Sequence, residues 1–435
     1  MIHQRPAELL QQLIRIDTTN PPGNEAACVA YVRELLLEAG VTPQVLARDP
    51  ARPNLVARIS GRGAAPPLLL QGHLDVVTTE GQRWRFPPLE ARVADGYIWG
   101  RGALDMKGGV AMMLAAFLRC AAEGPAPPGD VILALMSDEE AGSLHGAQFL
   151  VEQHAGLFRG VRYALGEFGG FSAHLSGRRF YPIMVSEKQC CRMRATVRGP
   201  SGHGASIVRG GAAARLGELL RALDRARLPV HITPVVRRML EDMLAALPLP
   251  QRIVFSQVLN PALTDRILRL IGPQGAILET LLHNTVSPTI VRAGGPAINV
   301  IPSEATVELD VRLLPGFTPE DAIAELRPHL GPDVELEVLS FERGPAQVDM
   351  GLFGVLAGIL READPEGTPT PLMVHGVTDA RFFSRLGIQT YGFLPMRLPP
   401  DFSFWETLHA ADERIPVEAL PFGAEAIYQA LQRFR

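Results

Sequence analysis

Two textures of hydrophobic patterning divide the chain. Residues 6 to 39 repeat apolar positions at helical spacing, whereas NLVARIS, PLLLQGHLDVV and DVILALMSD are short apolar runs bounded by glycine and proline, as buried strands are. Between the last two lies GGVAMMLAAFLRCAA at 108 to 122, apolar on every side. That segment is too short to span a bilayer and carries Arg119 near its end, so it predicts a buried helix. Strand, helix and strand in this order predict an α/β unit with crossover helices. After about residue 185 the pattern changes. RMRATVRGP and ATVELDVRLL alternate apolar with polar, and AAARLGELLRALDRAR is amphipathic. Alternation predicts an antiparallel sheet with one wet face, here an α+β domain inserted at 187 to 343 between two parts of an outer domain, 1 to 186 and 344 to 435. Within the insert, 229 to 290 carries helical patterns such as VVRRMLEDMLAAL, more than a minimal strand-helix layer requires.

Composition narrows the picture. A chain of 435 residues exceeds what one core usually supports, in keeping with two domains. With 47% hydrophobic and 20% charged residues it is a globular rather than a disordered chain. A net charge of -4 leaves no basic footprint, which argues against nucleic acid as a partner, and no segment calls for a membrane. MIHQRPAELLQQLIRI breaks its apolar positions with Arg5, Glu8 and Arg15; it reads as a first helix rather than a signal peptide, and a cytoplasmic location is expected. Cys28, Cys120, Cys190 and Cys191 lack metal or disulfide spacing.

The chemistry sits at the ends of the apolar runs. Two positions apart on a strand, His73 and Asp75 share a side, so the aspartate can fix the imidazole tautomer and leave the other ring nitrogen for a metal. Taken alone, a solvated histidine at a strand end explains the pair as well. Asp105, in WGRGALDMKGG, stands in a glycine-rich loop that matches neither a P-loop nor GxGxxG; a helix N-cap is the plain alternative. In LALMSDEEAGS, Asp138, Glu139 and Glu140 would repel one another unless a cation sits among them, although Ser137 and Glu140 also fit a capping box. Glu167 in ALGEFGG and His409 in ETLHAADE complete the set. Strand C-termini are where open α/β sheets build sites, and His73, Asp105, Glu140, Glu167 and His409 suit two zinc-like ions bridged by one carboxylate. On VELDVRLL, Arg312 shares the polar side with Glu308 and Asp310; its fork suits a substrate carboxylate, or else a surface salt bridge.

GHLDVV, GRGALDMKGG, SDEEAGS, GEFGG, GPSGHGA, INVIPSEA, DVRLLPG and HAADE follow one another in an order that resembles the co-catalytic zinc peptidases and deacylases. Glutamate carboxypeptidase, aminoacylase, acetylornithine deacetylase, succinyl-diaminopimelate desuccinylase and carboxypeptidase S belong to that family. The resemblance implies a zinc-peptidase-like catalytic domain with a mixed, largely parallel sheet covered by helices, and an inserted lid with an antiparallel sheet. It implies that Asp105 bridges two divalent ions, with His73 and Glu167 on one, Glu140 and His409 on the other, and Asp75 supporting His73. Zinc is the expected metal, and cobalt or manganese would accept the same ligands. Glu139 would be the general base and His203, in GPSGHGA, an oxyanion donor reaching across a homodimer formed through the lid. Asn299 and the backbone around Gly376 and Thr378 would join Arg312 in a carboxylate clamp. A cis peptide is expected at Asp105-Met106.

Two features depart from the common pattern: Phe168 in GEFGG, where relatives carry a small residue or proline, and the enlarged 229 to 290 segment. With the SEKQ start of the lid, the enlargement resembles the carboxypeptidase S and N-acyl-amino-acid hydrolase branch. The expected activity is hydrolysis of a short peptide or N-acyl amino acid, a small-molecule substrate, releasing an amino acid with a free carboxylate. A biosynthetic deacylase of the acetylornithine or succinyl-diaminopimelate kind, or a metal-binding regulatory protein without turnover, are the alternatives.

Overall fold

A computed structural model describes residues 2–345 and 347–435. The larger sheet has nine strands. Its centre is parallel, running Gln389–Gly392, Tyr163–Gly166, Leu68–His73 and Val131–Met136; antiparallel strands flank it, Arg178–Glu187 on one side and Asn54–Ile59 on the other. Gly367–Val374 lies parallel on Arg178–Glu187. Leu68–His73 and Val131–Met136 are buried at every position, as expected of strands covered on both faces.

One face of the sheet packs against helix Lys107–Ala122, together with Pro6–Arg15 and Ala419–Arg433. Phe117, Leu114 and Met113 of the first helix are fully buried there, each side chain contributing about 1.5–3 kcal/mol of burial. The other face takes Phe149, Leu150, Phe158, Phe382 and Phe383. Residues 6 to 39 are not one helix: Pro6–Arg15 and Ala26–Glu38 are separated by cis bonds at Asn20-Pro21 and Pro21-Pro22, since proline removes the donor and fixes φ.

The smaller sheet is antiparallel, in the order Thr285–Ala293, Glu304–Leu313, Gln189–Arg198, Glu335–Glu342. Burial alternates along Gln189–Arg198 and Glu304–Leu313, and Cys191, Met193, Leu309 and Val311 face helix Ala212–Arg225 through Leu216, Leu219 and Leu223. The extra helical segment does not extend this layer. Val236, Met239 and Leu240 of helix Pro234–Ala245 pack with Leu281, Leu314 and Met373, so the added helices seat on the Gly367–Val374 strand of the large sheet.

Candidate active site

The parallel register aligns His73 with Met136 and Leu70 with Leu165, so His73, the 137–140 turn and Glu167 leave the sheet on one edge. His73 Nδ1–H donates to the Asp75 carbonyl at 3.0 Å, which turns Nε2 toward Asp105 Oδ1 at 3.0 Å and Glu167 Oε2 at 3.5 Å. The other Asp105 oxygen lies 3.1 Å from His409 Nε2, itself 3.2 Å from Glu140 Oε1. Donor atoms of His73, Asp105 and Glu167 lie within 4.8 Å of one another, as do those of Asp105, Glu140 and His409; Asp105 belongs to both groups. A third group joins Glu139 to His73 and Glu140. The Asp105-Met106 peptide is cis.

The three adjacent acids part company at once. Asp138, at φ 71°, accepts Arg52 Nη1–H at 2.6 Å, and Arg52 is also paired with Glu25, so that charge is balanced away from the centre. Glu139 and Glu140 turn toward His73 instead. The carboxylate of Asp75 holds them there, accepting the Glu139 and Glu140 amides at 3.1 Å each and Asn20 Nδ2–H at 2.9 Å. Asp75 therefore orients His73 chiefly through its main-chain carbonyl; its carboxylate stands 3.5 Å from Nδ1. The capping box is not formed: Ser137 Oγ donates to the Arg52 carbonyl, and Glu139–Ala141 is a single 3-10 turn. Nor does Asp105 cap the helix Lys107–Ala122, whose N-cap position is Met106.

Phe168 and His409 share with Asp138 a left-handed backbone, at φ 58° each, which costs a non-glycine residue about 1 kcal/mol or more and must be imposed by its surroundings. At Phe168 the vise is Gly392, where an added Cβ would lie 2.2 Å from the Glu167 carbonyl. At His409 it is a buried ion pair that the sequence did not foreshadow. Arg101 donates to Glu413 Oε2 at 2.6 Å and to the His409 and Ala410 carbonyls at 3.1 and 3.3 Å, while Glu413 Oε1 accepts the Leu104 and Asp105 amides at 2.7 and 3.2 Å. Both residues lie inside the GRGALD and HAADE motifs; 312 positions of separation hid the pairing.

The electrostatics fit a pair of divalent ions. Burial and the neighbouring Glu167 charge push the Glu139 carboxyl well above its usual range. Burial takes Glu167 up to about 8, and burial with Asp105 nearby raises Glu140. Hydrogen bonds to Asp105 and Glu140 lift His409 to about 10; His73 is raised despite its burial by Asp105, Asp75 and Glu167, and these imidazoles hold Asp105 low against its own burial. Buried acids this close together favour a cation among them, and the donors are imidazole nitrogen and carboxylate oxygen throughout, as a pair of divalent ions would require.

The remaining expected residues lie apart from this cluster. His203 is exposed on a two-stranded ribbon with Val300–Ile301, its Nδ1 accepting the Ala205 amide at 3.2 Å. Asn299 is exposed beside it, its carbonyl accepting the Gly204 amide at 2.8 Å. Arg312 is clamped by Asp310 through Nε and Nη2 at 2.7 and 3.0 Å. Gly376 faces open space, whereas Thr378 is buried and gives both its amide and hydroxyl to Glu187 Oε2, at 2.8 and 2.9 Å. Arg381 places Nη1 3.9 Å from Glu139 Oε1; nothing in the sequence pointed to it.

A sequence profile described as peptidase family M20/M25/M40 matches residues 69–433. The chain belongs to this family. Among M20 relatives, the human N-fatty-acyl-amino acid synthase/hydrolase is 28% identical over 84% of this chain and 74% of its own length. The succinyl-diaminopimelate desuccinylase of Paracoccus denitrificans is 27% identical over 99% of this chain and 98% of its own. The M20 family metallo-carboxypeptidase of Sulfolobus solfataricus shares the fold, with a TM-score of 0.68 and 17% identity over 98% of each chain. This M20 protein is accordingly a metal-dependent hydrolase of the peptidase and acylase class, with the α/β catalytic domain and antiparallel lid of its family. Among the described residues no helix is long and apolar enough to cross a membrane.

Proposed function

We propose that this M20 enzyme cleaves the amide bond of a short peptide or N-acyl amino acid and releases an amino acid whose free carboxylate is held by Arg312. The observation that carries the reading is Asp105 shared between two three-residue donor groups, with Glu139 beside them and tied to neither Asp105 nor His409. His73, Asp105 and Glu167 would hold one ion and Asp105, Glu140 and His409 the other, zinc foremost. When bound, such a pair polarises the scissile carbonyl and acidifies water to near neutrality.

The chain's own residues do the rest. Glu139 takes a proton from the attacking water and returns it to the leaving amine. Asp75 keeps Glu139 in place through its main-chain amide, and Arg381, 3.9 Å away, favours the charged form that a base needs. Lid residue His203 meets the developing oxyanion across a homodimer. The exposure of His203 together with Ile207 at 90%, Ile298 at 102% and Val300 at 57% supports that last assignment, since so many apolar side chains in one region favour a covering partner.

Elemental analysis of purified protein, paired with turnover on acyl-amino-acid and dipeptide panels before and after chelation, tests the reading. About two ions per chain are expected, with activity lost on chelation and restored on reloading. Glu139→Gln should keep the ions and lose turnover; near-normal rates in that variant would overturn the mechanism. Selective cleavage of succinyl-diaminopimelate or acetylornithine would instead favour a biosynthetic deacylase.

A further inference from the structure

An aromatic wall flanks the metal-facing carboxylates. Phe168 follows Glu167 directly, and Trp405 precedes His409 by four positions, so each ring is tied to one half of the centre. The two rings stack with centroids 5.8 Å apart and planes 6° from parallel. Phe171 and Phe404 stack behind them at 3.9 Å, and with Phe168 they line a small cavity shared with Asp105 and Glu167. Trp405 nevertheless remains 38% exposed. A partly exposed indole backed by stacked rings is poised to receive an apolar group.

The far end of the wall fixes which group that is. Trp405 rests on His375, with ring centroids 5.7 Å apart. Val374, the preceding residue, accepts the Lys188 amide at 3.1 Å, and Arg312 lies opposite Cys190, two positions further along the same segment. Burial, Lys188 and Arg312 together depress the His375 imidazole, in keeping with their closeness. The wall therefore runs from the carboxylates around Asp105 to the neighbourhood of Arg312. With the scissile carbonyl at the first and the free carboxylate toward the second, the released amino acid rather than the acyl group lies on the Trp405 side, and its Cα substituent is the group that can meet the rings.

We propose that Phe168 and Trp405 determine specificity for the side chain of the released amino acid, and that preferred substrates carry a large apolar side chain there, aromatic above all. The inference rests on the amide-hydrolase reading of the same centre. It also accounts for Phe168, the departure within GEFGG, because a small residue at that position would leave the indole without its stacking partner.

Two measurements on the metal-loaded full chain test it. The first is kcat/KM on N-acetyl derivatives of glycine, glutamate, leucine and phenylalanine, for the wild type, Trp405→Ala and Phe168→Gly. The phenylalanine-to-glycine ratio should exceed about tenfold in the wild type and fall by about tenfold in either variant. The second is calorimetric binding of free L-phenylalanine and glycine, in which the wild type should favour phenylalanine and Trp405→Ala should not. Trp405→Phe, which keeps a ring, should retain most of the preference and so separates loss of the wall from loss of folding. Equal treatment of glycine and phenylalanine in both measurements overturns the proposal. So does a response of Trp405→Ala to acyl-chain length, acetyl to octanoyl, with an unmoved side-chain ratio. If no amide is cleaved but phenylalanine still binds selectively, the hydrolase reading falls and the apolar subsite stands.

Discussion

Glu413→Gln is the most informative single change away from the proposed ligands. The carboxylate is fully buried and serves both halves of the centre: one oxygen takes the amides of Leu104 and Asp105, and the other takes Arg101, whose guanidinium also holds the His409 carbonyl. Glutamine preserves the shape and can still accept the two amides. Its NH2 then faces the Arg101 donors, and a buried cation loses its counter-charge. Removing one partner of a buried pair costs about 3–5 kcal/mol. At roughly 0.9 kcal/mol/K of unfolding entropy for 435 residues, that corresponds to about 3–6 °C in melting temperature if unfolding is cooperative. Partners that orient metal ligands also carry about 10–100-fold in metal affinity. A titration with zinc followed by calorimetry should therefore show weaker binding, and the stabilisation of the loaded form should shrink by about 1.4–2.7 kcal/mol on top of the loss without metal. Arg101→Met with Glu413→Gln should be less harmful to folding than Glu413→Gln alone, because no charge is left unpaired. Should the single variant melt within about 1 °C of the wild type and bind zinc equally well, Arg101 and Glu413 are bystanders and the positions of Asp105 and His409 are set elsewhere.

Three other outcomes are expected. Gly392→Ala would drive a Cβ to 2.2 Å from the Glu167 carbonyl and 2.7 Å from Met184 Cβ. It should cost about 1–3 kcal/mol and lower metal content per chain, and an unchanged metal count would separate strand packing from the Glu167 position. The buried Lys188 ammonium donates to two neutral acceptors, the His283 carbonyl and Thr285 Oγ1, and burial, aided by Arg312, lowers it to about 7. The unfolded chain then binds the extra proton between about pH 7 and 10, so stability rises with pH across that window, by a few kcal/mol in all, and is flat below it. Urea unfolding at pH 7, 8 and 9 should show the wild type gaining on Lys188→Met, and a pH-independent difference would mean the amine is charged in the fold. Light scattering should find a wild-type dimer that Ile298→Asp dissociates, with turnover lost alongside; a monomeric, active wild type would remove the role given to His203 across the lid.

What could be read from the sequence was whatever depends on local periodicity or on one residue's chemistry. The buried strands Leu68–His73 and Val131–Met136 announced themselves because two-sided burial leaves an unbroken apolar run, and the lid strands because one-sided burial leaves alternation. His73, Glu139, Glu140 and Glu167 stood out because each follows an apolar run, Asp105 because it breaks a glycine-rich loop and His409 through its HAADE motif, and parallel strands bring the ends of the runs to one edge. Pairings between distant segments were not legible. Arg101 with Glu413, Arg52 with Asp138 and Arg381 near Glu139 are all arginines in a chain with only two lysines. Composition makes arginine look like surface, and only three-dimensional closure reveals which copies are buried. The two lysines carried more signal than their count suggested: Lys107 gives its ammonium to the carbonyls of Leu13 and Ile16 at the end of helix Pro6–Arg15, and Lys188 to the carbonyl of His283 at the end of helix Pro273–Leu282, so both satisfy helix C-termini. Backbone conformation was equally hidden. The left-handed Asp138, Phe168 and His409 cannot be told from their neighbours by residue type, since none is glycine, and yet these are the residues whose strain aims the donors. The centre is thus written twice in this protein, once in donor residues that any close reading of the motifs finds, and once in a buried scaffold of charge pairs and close glycine contacts that exists only when the chain is closed. The Glu413→Gln and Gly392→Ala variants attack the second inscription while leaving the first intact.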